Sequence, residues 1–241
     1  MKKILKDKRI FIEFTGLPCS GKSTISHELA NLMRKDDYEV DETPYNLSHK
    51  TGKLKRVAIK LFYAIRLLVL EPIQIINVLS LKKISLSNKF NICYVYSMYL
   101  RKGECIYVLD QGFAQSIMAV LECKKNTEVN IEKILNMISN KKIIIYQIFV
   151  NASKRTIELR SNNRTMPCYF SESKCKDLII EKGINDLEVL KRLWNNTIAW
   201  SNFIEITSEQ NISMAAEEIY KNIKLEFEEG TNETDKNTPR A

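Results

Sequence analysis

The stretch "FIEFTGLPCSGKSTI", residues 11–25, constrains this chain more than any other part of it. An apolar run breaks at Gly16 into a short polar loop and restarts as a helical pattern near Lys22. The eight residues Gly16-Leu17-Pro18-Cys19-Ser20-Gly21-Lys22-Ser23 fit the phosphate-binding spacing G-x-x-x-x-G-K-[ST]. Glycines let such a loop wrap closely round a phosphate, the backbone amides point inward, and the following helix N-terminus adds partial positive charge. Lys22 is then placed to balance β- and γ-phosphates, the Ser23 hydroxyl to bind Mg2+, and Thr24 to reach the α-phosphate region. Cys19 stands where a backbone amide acts. It is either simply a small residue or a thiol made reactive by the helix end.

A loop of this kind needs a strand before it and a helix after it, and the rest of the chain repeats that alternation. Apolar runs rich in β-branched or aromatic residues recur at "RIFIEFTG", a weaker "YEVDET", "CIYVLDQG", "KIIIYQIFVN" and "FIEITSEQ", with helical patterns between them. Alternating strands and helices imply crossover connections and a parallel sheet covered on both faces, a doubly wound α/β class. Glu13 breaks the apolar rule of the first strand. A carboxylate there needs a Lys, an Arg or water at the strand end, and a structural pair is favoured over a substrate contact.

Residues 45–100 form a long helical insertion between the second and third strands. Its centre, "VAIKLFYAIRLLVLEPIQIINVLSL", is nearly apolar all round, but Lys60, Arg66, Glu71 and Pro72 interrupt it short of the ~20 residues a membrane span needs. Two buried helices breaking near Pro72 are expected. With Lys50, Lys53, Lys55 and Arg56 just upstream, a membrane-surface segment is the alternative. A single domain over residues 1–225 is expected, with a polar, disordered tail over 226–241.

The charge balance, 37 Lys and Arg against 29 Asp and Glu for a formal +8, suits an anionic ligand without specifying nucleic acid. Six cysteines form no C-x-x-C pair, and the two histidines lie far from them, which speaks against a zinc site or a disulfide framework and for a reducing cytoplasm. Lys6, Asp7, Lys8 and Arg9 interrupt what would otherwise read as a secretion signal.

The first strand and loop resemble those of the P-loop kinases of small molecules, the group that includes adenylate, thymidylate and deoxynucleoside kinases. The resemblance implies a five-stranded parallel sheet in the order 2-3-1-4-5, an ATP- and Mg2+-dependent phosphoryl transfer, and ATP held by Gly16 to Thr24. Two further segments carry it. "YVLDQG", residues 107–112, ends a strand in Asp110, where the family keeps an acidic residue that holds a Mg2+-bound water or activates the acceptor. The other reading of Asp110 is a cap of the helix "FAQSIMAV". Gln111 stands where the family commonly has Arg, which removes a guanidinium from the site. "FVNASKRTIELRSNNRT", residues 149–165, resembles the start of the family's arginine lid, here about 152–176, with Ser153 able to cap its helix. By resemblance Arg160 and Arg164, four apart on one helix face, close on the transferring phosphoryl group; Arg155 is the weaker candidate, and a solvated basic face is the other reading.

The acceptor is less legible. Asp41 or Glu42 in "DETPYN" can contact a hydroxylated acceptor or simply be solvated. Tyr63, Tyr94, Tyr96, Tyr99 and Phe90 can wall an acceptor pocket, although aromatics at helical spacing more often pack a core. The sequence lacks the Asn-Lys-x-Asp base-reading pattern of a GTPase. The expectation is a kinase of a small-molecule acceptor, a nucleoside or nucleotide first. The alternatives are a polynucleotide 5′-hydroxyl kinase and a nucleotide-switched ATP-binding protein acting through its apolar insertion.

Overall fold

The computed structural model describes residues 9–43, 51–81, 84–101, 105–121, 128–139, 143–163, 176–198 and 201–235. Five strands, β1 (Ile10–Gly16), β2 (Val40–Asp41), β3 (Ile106–Leu109), β4 (Ile144–Asn151) and β5 (Asn202–Thr207), form one sheet in the order β2-β3-β1-β4-β5. Every described pairing is parallel, and β1 lies at the centre with Glu13 beside Leu109 on one side and Gln147 on the other. This is the doubly wound arrangement expected of a P-loop protein, with the glycine loop leaving the central strand. The second strand is only two residues long.

Alternation along β1 builds two cores, since successive strand side chains face opposite ways. Ile10, Ile12 and Phe14 pack against α1 (Lys22–Lys35) and α9 (Ile212–Asp235), through Ile25, Leu29, Met33, Ala215 and Ile219 among others. Phe11 faces the other side, where Tyr107, Leu109, Ile145 and Phe149 meet α5 (Phe113–Leu121), α6 (Glu128–Ser139) and α8 (Lys176–Thr197). The run Ile25, Leu29, Met33 recurs at four-residue steps, which is why α1 forms against the sheet.

The insertion supplies α2 (Lys53–Leu70), α3 (Pro72–Leu79) and α4 (Leu86–Met98). Glu71 separates the first two and Pro72 opens α3 at its first turn, where a missing amide costs nothing. Ser85 caps α4 by accepting from Asn88 N–H at 3.2 Å, and residues 92–98 of α4 are all buried. α2 and α3 correct the expectation of two buried helices. Ala64, Leu67, Ile75 and Val78 face inward, but Val57, Leu61, Ile65, Leu68 and Ile73 are exposed, because α4 and α6 offer a surface to one side only. Among the described residues no helix is long and apolar enough to cross a membrane.

α7 (Lys154–Asn162) follows β4, and Ser153 accepts from Thr156 N–H at 3.3 Å, the cap its sequence suggests. α9 continues to Asp235, ten residues into the segment expected to be a tail; no proline stops it before Pro239.

Candidate active site

β1 delivers the chain into the loop at Gly16, whose N–H donates to Gln115 Oε1 at 3.0 Å. Cys19 (φ 67°) and Gly21 (φ 94°) both adopt left-handed backbone, which turns successive peptide groups to form an anion-binding concavity. Glycine takes that conformation without strain, whereas Cys19 holds it at a cost of about 1–2 kcal/mol. Ser20 N–H donates to Leu17 C=O at 3.1 Å, and Ile25 N–H to Gly21 C=O at 3.0 Å as α1 begins. Lys22 is buried and its Nζ donates to Leu17 C=O at 3.2 Å.

The fold brings Ser23 and Asp110 together. Ser23 Oγ donates to Asp110 Oδ2 at 3.1 Å, and Asp110, just past the end of β3, is only 2% exposed. The cap that Asp110 was one candidate to provide comes from Glu13. Its Oε2 accepts the Phe113 N–H at the start of α5 at 2.8 Å. A Cβ on Gly112 would lie 2.4 Å from that oxygen, so only glycine leaves room for the contact. Glu13 therefore has a structural partner, as favoured, and among the described residues that partner is a helix N-terminus rather than a Lys or an Arg. Burial pushes its carboxyl up to about 8 against the pull of the Phe113 and Ala114 amides.

Arg160 also reaches the loop. Its guanidinium donates to Ser20 C=O at 2.9 Å, to Ser208 Oγ at 3.0 Å and to Ser208 C=O at 2.6 Å, with Cys19 C=O at 3.5 Å. A Cβ on Gly21 would lie 3.1 Å from the same guanidinium, so the loop and the arginine are packed against each other. Arg155 is exposed on the far side of α7, in keeping with a solvated basic face there. Arg164 lies outside the described residues. Sequence reasoning missed Ser208 and Gln115, since nothing in spacing ties either to a loop more than 90 positions away.

The loop floors a cavity of about 430 Å³ walled by Lys22, Ser23, Thr24, Gln111, Gln115 and Arg160, with Pro18, Cys19 and Gly21 at its base. Its lining is polar and cationic and suits a polyphosphate. Gln111 is exposed at its edge.

A second cavity of about 430 Å³ opens between α2 and α4, lined by Thr43, Lys55, Ala58, Ile59, Phe62, Tyr63, Tyr94 and Arg101. Arg101 donates to Asp41 Oδ2 at 3.0 Å and to Tyr63 Oη at 2.8 Å. The Tyr94 hydroxyl is buried and meets no hydrogen-bond partner among the described residues. Burial pushes its phenol up to about 12; Arg101 pulls it down, while Tyr63, Asp41 and Asp110 add to the rise. Asp110 is thus within electrostatic reach of this cavity. Of the other aromatic candidates, Tyr96 and Tyr99 are core residues, and Phe90 packs against the core. Glu42 turns away toward α1, paired with Arg34 at 2.5 Å and His27 at 3.0 Å.

Comparison with known protein families finds no match for the sequence, and comparison with curated proteins finds none either. Among solved structures, shikimate kinase from Bacteroides thetaiotaomicron is similar, at 9% identity over 89% of this chain and 98% of that chain, with a TM-score of 0.47. The fold assignment rests on strand order and register. A likeness at that level says nothing of substrate.

Proposed function

We propose that this chain transfers the γ-phosphoryl group of ATP to a small hydroxyl or phosphate acceptor. The observation that carries this reading is the Ser23–Asp110 hydrogen bond at the mouth of the glycine loop, beside Lys22. A hydroxyl and a carboxylate in that relation suit Mg2+, which in phosphoryl transfer keeps several waters and bridges substrate phosphates rather than sitting in an all-protein cage. When bound, Mg2+ would neutralise charge on the β- and γ-phosphates.

In this reading the loop amides and Lys22 bind the triphosphate, Ser23 is the direct metal ligand, and Asp110 orients a metal-bound water or the acceptor hydroxyl. Catalysis of this kind is largely positioning and charge neutralisation. Arg160 serves it by fixing the shape of the loop. The acceptor enters the Tyr94–Arg101 cavity, whose aromatic walls suit stacking and whose Arg101–Asp41 pair suits a polar substituent. A nucleoside or nucleoside monophosphate is the first candidate, on the family resemblance.

The test is ADP release from ATP and Mg2+ across nucleosides, nucleoside monophosphates, sugars and 5′-hydroxyl oligonucleotides, with Lys22→Ala as the blank. One class should stimulate turnover well above basal hydrolysis. Stimulation by oligonucleotides with a steep loss in salt would instead identify a polynucleotide kinase. ATP binding with no stimulation by any class would favour a nucleotide-switched binding protein. The engagement of Arg160 with loop carbonyls is the observation in favour of that second reading.

A further inference from the structure

Among the described residues, the outward side of α2 is an apolar surface that phosphoryl transfer does not use. At 100° per residue, Val57, Leu68, Leu61, Leu54, Ile65 and Phe62 fall within a sector of about 140°, and all six are exposed, Leu54 to 86%. Ile73 and Ile76 continue the apolar surface on α3, exposed at 70% and 62%. An exposed apolar surface of this continuity marks an interaction site rather than ordinary surface scatter.

Charge decides which partner fits. Lys55 and Arg66 are exposed and follow Phe62 round the helix, forming a cationic edge to the apolar sector. Between Glu42 and Glu71 the sequence contains no acidic residue at all, while Lys50, Lys53, Lys55, Arg56, Lys60 and Arg66 are basic. A second copy docked on this face by two-fold symmetry would bring the same acid-free stretch to it and offer Lys55 and Arg66 no carboxylate partner there. An anionic lipid surface meets both halves of the pattern, since apolar side chains enter the acyl boundary while Lys and Arg remain at the headgroups.

We propose that α2 and α3 lie in the plane of an anionic phospholipid bilayer and hold the protein at its surface. The inference rests on exposure and charge and does not depend on the phosphotransfer reading. Ala58 and Phe62 belong both to this sector and to the lining of the second cavity, so a membrane-docked protein presents that cavity beside the headgroup layer.

The experiment is flotation of the full chain with phosphatidylcholine vesicles with and without phosphatidylglycerol, at low and high salt. The protein should float with phosphatidylglycerol vesicles, and salt should release it. L61E/I65E should abolish flotation while keeping ATP affinity and helical content. K55Q/R66Q should weaken partitioning by roughly tenfold or more. Fluorescence of Ile65→Trp should shift to the blue when anionic vesicles are added. Failure to float with either vesicle, or equal flotation with both, overturns the proposal. A concentration-dependent dimer that L61E/I65E dissolves, without vesicle binding, also overturns it and assigns the face to a second copy.

Discussion

Ser23 and Asp110 stand 87 positions apart in sequence and share a hydrogen bond of 3.1 Å. They meet because β3 pairs directly with β1, so the end of one strand lies beside the loop that leaves the other. Asp110→Asn keeps the size and hydrogen-bonding capacity of the side chain and removes its charge. Acceptor-stimulated turnover should fall by about 10²-fold or more, with the thermal midpoint little changed. Steady-state kinetics beside a melting curve separates the loss of chemistry from a loss of fold.

Glu13 makes stability depend on pH in an unusual direction. Its carboxyl rises from 4.5 to about 8 on folding, so between those values the folded state holds a proton that the unfolded state has released. The contribution is complete below about 4.5 and is lost as pH rises through about 8. Glu13→Gln, whose amide oxygen can still accept from Phe113 N–H, should flatten the fall of thermal midpoint with pH across that window. An unchanged slope would show that another group is responsible.

Arg160 holds backbone carbonyls of the glycine loop and of Ser208 together. Arg160→Ala should cost about 1.5–3 kcal/mol of stability, the range for hydrogen bonds to a charged group, and should raise the KM for ATP. Arg155→Ala, on the exposed side of the same helix, should change stability by no more than about 0.5 kcal/mol. Denaturant midpoints for the two variants give the comparison directly.

Tyr94 carries a buried hydroxyl with no partner among the described residues. Tyr94→Phe removes that unmet polar group, so the thermal midpoint should hold or rise. If the hydroxyl serves the acceptor, the acceptor KM should rise several-fold while the KM for ATP stays constant. A rise in both would place Tyr94 in general support of the site.

The sheet was legible because its strands are written as apolar runs between turn residues, and the loop because its geometry demands glycine at Gly16 and Gly21. Ser23, in the first turn of α1, and Asp110, just past the end of β3, were each legible as metal candidates, but their hydrogen bond was not. What the sequence concealed depends on long-range approach. Glu13 reads as a costly buried charge until the N-terminus of α5 is seen beside it. Ser208 looks like any loop serine until Arg160 is found bonded to it. The insertion misled for a different reason. Apolar composition shows that a helix wants cover, but not whether the rest of the chain supplies it on both sides.

The grip of Arg160 and Ser208 on the loop bears on the order in which the site matures during synthesis. The whole phosphate-binding sequence has emerged by Ser23, yet one residue that fixes its outer carbonyls arrives 140 positions after Ser20, and that residue is itself anchored by another 48 positions later. Contacts so distant in sequence form late, after the entropy of closing the intervening chain has been met. A nascent or truncated chain ending before β5 therefore carries every letter of the signature without the geometry that gives it meaning. The outer carbonyls of the loop acquire their partners only when the C-terminal part of the chain closes onto the beginning.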